Sequence, residues 1–199
     1  MLALAALAGC GEDVAGRGGN LDGTPPTNTP ADSSHVWSTL SDFEFTTHAG
    51  ESLRLEDVRG RTAVFATLFT RCGGPCPKIT RALRELSLEP ASEELLLLAV
   101  SVDSEHDTPE VLREYAARFD VDLERVVFLT GEREPIHEWI RANLKLAAGA
   151  DGEPGHAVSH DRRLTVVDAE GRVRGWYDHE RDAELLRERL AHLEAERAD

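Results

Sequence analysis

From Phe43 to Thr47 the chain reads FEFTT, apolar and polar in alternation, and this period of two predicts a half-buried strand. HAGES then supplies a turn into LRLEDV. TAVFATLF (Thr62–Phe69) has no polar face. Its β-branched and aromatic residues predict a central strand covered on both sides. LLLLAVSV (Leu95–Val102) and VVFLT (Val126–Thr130) read the same way. Between these runs the period becomes helical. Pro77 suits a first helical turn, and Ile79, Leu83 and Leu86 follow at helical spacing. Thr108, Pro109 and Glu110 form a helix start signal, with Leu112, Tyr115 and Phe119 as the inner face. REPIHEWIRANL predicts a further helix, and the Gly-rich stretch from Lys145 to Ser159 a loop. LTVVDAEGRVRGWY predicts a hairpin turning at Gly171, and Leu186, Leu190 and Leu193 stripe a last helix. Strands alternating with helices and ending in a hairpin plus helix predict an α/β domain. Its mixed central sheet carries helices on both faces and an N-terminal strand or hairpin extension.

The first 34 residues lack such patterning. LALAALAGCG is short and apolar and ends in small residues before Cys10, as bacterial lipoprotein signals do, where the cysteine becomes the lipidated first residue of the mature chain. No basic region precedes the run, so the expectation includes either an upstream start or an atypical signal. Residues 11–34 are Gly, Pro, Thr, Asn, Asp and Ser with almost no large apolar side chain, which predicts a flexible tether. The expected organisation is a signal segment at 1–10, a tether at 11–34 and one domain at 35–199. An anchored domain of this kind works extracytoplasmically, on the periplasmic side, where disulfides form.

Composition narrows the class. Of 199 residues, 41% are hydrophobic and 30% charged, which excludes a polytopic membrane protein. A formal net charge of −15 argues against nucleic acid as a partner.

The candidate chemistry lies in FATLFTRCGGPCPKITRAL. Cys72 and Cys76 sit in a C-x-x-x-C spacing between a strand and a helix. Two thiols so spaced in a tight turn come within disulfide range, and Gly73 and Gly74 allow unusual backbone angles. A helix N-terminus aimed at the sulfurs favours thiolate, the species that both binds metal and attacks disulfides. Spacing alone does not choose between these chemistries. Ahead of the late strand RLTVV stand two histidines, His156 and His160, where a thioredoxin carries its cis-proline. A histidine at the mouth of that strand would complete a Cys2His site, and soft thiolates select Cu(I) or zinc.

Together, RCGGPCPKIT, VSVDSEHDTPEVLREYAARF and a histidine shortly before LTVVDAEGRV resemble the Sco/SenC family from about Val36 to Leu193. The resemblance implies a thioredoxin-like fold and a membrane-anchored metallochaperone with a copper ion, serving assembly of the CuA site of cytochrome c oxidase. It implies as ligands Cys72, Cys76 and His160, the last by its distance to VVDAEG; His156 does not fit that register. The implied partners are the oxidase copper-site subunit or another copper carrier, and the membrane through a lipid on Cys10. Ser104 and His106 stand where the family usually carries Pro and Arg, which leaves open the shape of the loop after Asp103. A rival reading makes Cys72 and Cys76 the catalytic pair of a thiol–disulfide oxidoreductase acting on an oxidase subunit or copper carrier. A peroxide-reducing thioredoxin relative is a weaker third.

The remaining candidates have plainer expectations. Asp103 ends a strand, where such sites lie, and Asp107 supports the helix start at Thr108. Trp37, Trp139 and Trp176 are packing residues. His137, His179 and His192 are expected to be solvated, as is the charged face of the last helix.

Overall fold

A computed structural model describes residues 35–89, 94–146 and 162–198. Cys10, the tether, His156 and His160 lie outside the described residues. The elements run in chain order as β1 (Ser38–Thr39), β2 (Glu44–Thr47), β3 (Ser52–Arg54), α1 (Leu55–Val58), β4 (Ala63–Leu68), α2 (Cys76–Ser87) and β5 (Leu96–Ser101). There follow α3 (Pro109–Arg118), β6 (Val126–Thr130), α4 (Arg133–Trp139) with a π-helical turn at Ile140–Leu144, β7 (Arg163–Val167), β8 (Arg172–Asp178) and α5 (Ala183–Ala198).

The strands form one mixed sheet in the order β1-β8-β7-β4-β5-β6-β2-β3. β4, β5 and β6 are parallel, joined by the crossover segments that carry α2 and α3. β7 runs antiparallel to β4, with Phe65 opposite Thr165 and Ala63 opposite Val167. The β2–β3 hairpin adds to the far edge through β6, and β1 pairs with β8 at the other. This is the predicted mixed sheet with its N-terminal extension.

Side-chain alternation along the strands separates two cores. Val64, Ala66, Leu68, Leu97 and Ala99 meet Ile79, Leu83 and Leu86 of α2, Leu112 and Tyr115 of α3, and Leu186, Leu190 and Leu193 of α5. Ala63, Phe65, Leu98 and Val100 meet Leu55, Ile136, Trp139, Leu144 and the aromatic N-terminal segment through Phe43 and Phe45. Helices therefore cover both faces, and every residue of β4 is buried. Trp139 and Trp176 are buried as packing residues, and Trp37 lies tilted against Trp176 with ring centroids 5.4 Å apart. The turn at Gly171 has φ +80°, a left-handed conformation that favours glycine.

Candidate metal and thiol centre

β4 delivers the chain to Phe69 at the carboxyl end of the parallel strands, and α2 carries it away from Cys76. Both cysteines are free thiols. Cys76 opens α2 and is fully buried, whereas Cys72 is partly exposed. The loop is held from within. The Phe69 N–H points at the Cys76 Sγ (3.4 Å), the Cys72 N–H donates to the Phe69 carbonyl (3.3 Å), and the Gly74 N–H points at the Cys72 Sγ (3.3 Å). Behind the helix start, the Thr80 hydroxyl donates to the Cys76 carbonyl at 2.9 Å and meets the Tyr115 hydroxyl at 2.9 Å. Neither Gly73 nor Gly74 has a positive φ, so the loop does not draw on the backbone freedom expected of them.

The helix N-terminus does not make Cys76 an easy thiolate. Burial pushes its pKa far above the ordinary cysteine value, and the hydrogen bond from Phe69 only partly opposes that. The neighbouring Cys72 thiol and the Asp107 carboxylate add to the rise. The same burial lifts Tyr115 to about 12, against the hydrogen bond with Thr80.

Beside the thiols lies a polar cluster that the sequence did not announce. Asp107 was expected only to support the start of α3; its side chain is instead fully buried and faces the cysteine loop. One carboxylate oxygen accepts from the Thr70 hydroxyl (2.5 Å), the other from the Thr70 N–H (3.1 Å) and the Ser101 hydroxyl (2.6 Å). Asp103 pairs with Arg71 at 2.6 Å rather than facing water alone. The loop after Asp103 is a closed turn, in which the His106 and Asp107 N–H groups both donate to the Asp103 carbonyl.

Two histidine expectations are overturned. His137 is buried and donates from Nε2 to the Val102 carbonyl at 2.7 Å, tying α4 to the end of β5. His179 is also buried and donates from Nδ1 to the Arg162 carbonyl at 3.1 Å, because β8 ends beside the start of β7. His192 is the surface histidine expected, beside Glu196 at 3.0 Å. Among the described residues, no cluster of three His, Cys, Asp or Glu side chains is arranged to hold a metal ion. Nor is any helix among them long and apolar enough to cross a membrane.

The family model described as SCO1/SenC matches residues 31–195. The SCO1 protein homologue of Bacillus subtilis is 27% identical over 66% of this chain and 69% of its own length. Mitochondrial relatives are longer: the chain spans 56% of the bovine SCO2 homologue, at 28% identity over 73% of this chain. Among solved structures, a SCO1/SenC family lipoprotein from Bacillus anthracis superposes with a TM-score of 0.71 at 25% identity, over 78% of this chain and 95% of that one. Bradyrhizobium japonicum ScoI with copper bound has a TM-score of 0.66 at 20% identity, over 78% and 99% of the two chains. These neighbours bear out the thioredoxin-like architecture. With a family model spanning nearly all of the described fold, the chain belongs to the SCO1/SenC family.

Proposed function

We propose that this chain binds a copper ion through Cys72, Cys76 and His160 and passes it on during assembly of the CuA site of cytochrome c oxidase. The observation that carries the proposal is the pair of free thiols held at the carboxyl end of β4, one partly exposed and one buried, in a SCO1/SenC chain. Copper bound to the Bradyrhizobium japonicum relative supports the choice of metal. The register of the sheet supports the third ligand. β7 runs antiparallel to β4, so it starts at the end of the sheet where β4 stops and the cysteine loop begins, and position 160 precedes it by three residues in sequence.

Two thiolates and an imidazole suit Cu(I), and a three-coordinate ion accepts a fourth ligand before losing one. A partner's cysteine or histidine takes the ion over by that exchange. Loading the site displaces the proton that burial keeps on Cys76. The lipoprotein relative supports an anchor at Cys10 and an extracytoplasmic site of action.

A second reading, thiol–disulfide exchange, is favoured by the exposure difference between the sulfurs. An accessible Cys72 over a buried Cys76 is the arrangement of an attacking and a resolving thiol. Cu(I) titration of the reduced domain against a chelator separates the two. Copper transfer requires tight one-to-one binding that His160→Ala, Cys72→Ser and Cys76→Ser each weaken. Affinity should also fall about tenfold per pH unit on acidification for each proton displaced. Weak binding indifferent to His160→Ala, with disulfide exchange intact, would leave the oxidoreductase.

A further inference from the structure

We infer that Asp107 is a positioning residue for the dithiol, fixing where Cys72 stands relative to Cys76 by clamping Thr70 at the root of the loop. Asp107 and Thr70 are 37 positions apart in sequence, yet the carboxylate takes both the hydroxyl and the backbone N–H of Thr70. Its second oxygen also accepts from Ser101, whose hydroxyl accepts in turn from the Asp103 N–H at 3.1 Å. The ends of β4 and β5 are thereby joined through one buried group, in addition to the Val102 N–H donating to the Leu68 carbonyl at 2.9 Å.

The donors suit a carboxyl group. All three hydrogen bonds run from N–H or O–H groups to its two oxygens, an acceptor set that no hydroxyl or single carbonyl at this position would match. Among the described residues Asp107 makes no ion pair, and Arg71 of the loop is turned to Asp103. A fully buried carboxylate without an ionic partner is costly to fold, so its position against the loop asks for a role beyond stability.

The loop geometry supplies that role. Phe69 N–H is committed to the Cys76 Sγ, and Cys72 N–H to the Phe69 carbonyl, so the turn from Phe69 to Cys72 pivots on Thr70. Asp107 removes that pivot's freedom. A disulfide tolerates a narrow range of separation and torsion, so a loosened Thr70 changes how readily the two sulfurs join.

This inference rests on the thiol pair being the functional centre, but its test uses no copper. The full domain is equilibrated with reduced and oxidised dithiothreitol. Two protein S–H bonds are exchanged for one S–S bond, and two electrons and two protons pass to the oxidised dithiothreitol, whose own S–S bond breaks. Asp107→Asn and Thr70→Val should each shift the equilibrium constant by about fivefold or more, while Thr70→Ser, which keeps the hydroxyl, stays within about twofold. Leu190→Ala, a core truncation in α5, lowers thermal stability without moving the constant. If Asp107→Asn fails to fold, Thr70→Val and Ser101→Ala carry the test. An unchanged constant in the folded clamp variants, or an equal shift in Leu190→Ala, overturns the inference. Failure of the wild type to bind Cu(I) would instead overturn the copper reading and leave this equilibrium intact.

Discussion

A thiol reacts to the extent that solvent reaches it and its proton leaves, and Cys76 is hindered on both counts. Cys72 is partly exposed, with the Gly74 N–H near its sulfur; Cys76 is buried and its pKa is raised by that burial. Iodoacetamide should therefore alkylate Cys72 in a Cys76→Ser variant at least about tenfold faster than Cys76 in a Cys72→Ser variant at neutral pH. Equal rates, followed by mass spectrometry, would contradict the burial difference. The motif made the pair legible in the sequence but not this asymmetry, which depends on β4 and α2 closing over one sulfur. Asp107 was harder to read. Its sequence neighbour Thr108 pointed to a helix start, while its partners Thr70 and Ser101 arrive only through the sheet. His137 and His179 were misread for the same reason, since each finds a carbonyl on another segment. His160, on which the copper reading depends, came from family register, and the described residues do not reach it.

Elements were legible where burial imposes a period. The unbroken apolar run of β4, the α2 stripe at Ile79, Leu83 and Leu86, and the hairpin at Gly171 all followed from spacing and turn chemistry. The two-residue β1 and the π-helical turn at Ile140–Leu144 did not, because one is too short for a period and the other follows from tertiary bonds. Asn143 in that turn donates to the Trp139 carbonyl (3.0 Å) and accepts from the Ser41 N–H (2.6 Å), a contact spanning 102 positions. The start of α3 was read correctly. Thr108 accepts from the Val111 N–H at 3.4 Å, and Pro109 occupies the first turn, where its missing N–H costs nothing. Thr108→Ala should destabilise the domain by about 1 kcal/mol, the usual worth of an N-cap, with Thr108→Ser close to wild type. Urea denaturation checks this, and equal midpoints for all three proteins would show that the long cap bond carries nothing.

At the scale of the whole molecule, acid acts on groups of opposite consequence. Asp168 is buried, which disfavours its charge, yet hydrogen bonds from Arg174 and Arg172 outweigh that and hold its pKa below the ordinary value. Asp178 is lowered too, by the Arg181 and Glu180 N–H groups against its burial, and Asp182 by Arg181. These depressed carboxyls contribute stability above about pH 4, their ordinary range, and lose it only as pH falls through their folded values. His48 acts earlier. It sits at the turn after β2, where burial and then the charge of Arg113 lower its pKa, and its Nδ1 accepts from the Phe128 N–H at 3.2 Å. The folded protein thus prefers neutral His48, while the unfolded chain takes up a proton near pH 6.5. Its contribution is complete above that pH and is lost as pH falls through the lowered folded value. Relief of self-repulsion at a net charge of −15 works the other way on acidification, but it is common to wild type and a variant of the same carboxyl content. His48→Asn keeps an acceptor for the Phe128 N–H and does not titrate. Between pH 7 and 5 the wild type should therefore lose more stability in urea than His48→Asn does. Parallel pH profiles for the two proteins would mean that His48 carries its proton as easily in the fold as outside it, against the burial that the β2 turn imposes.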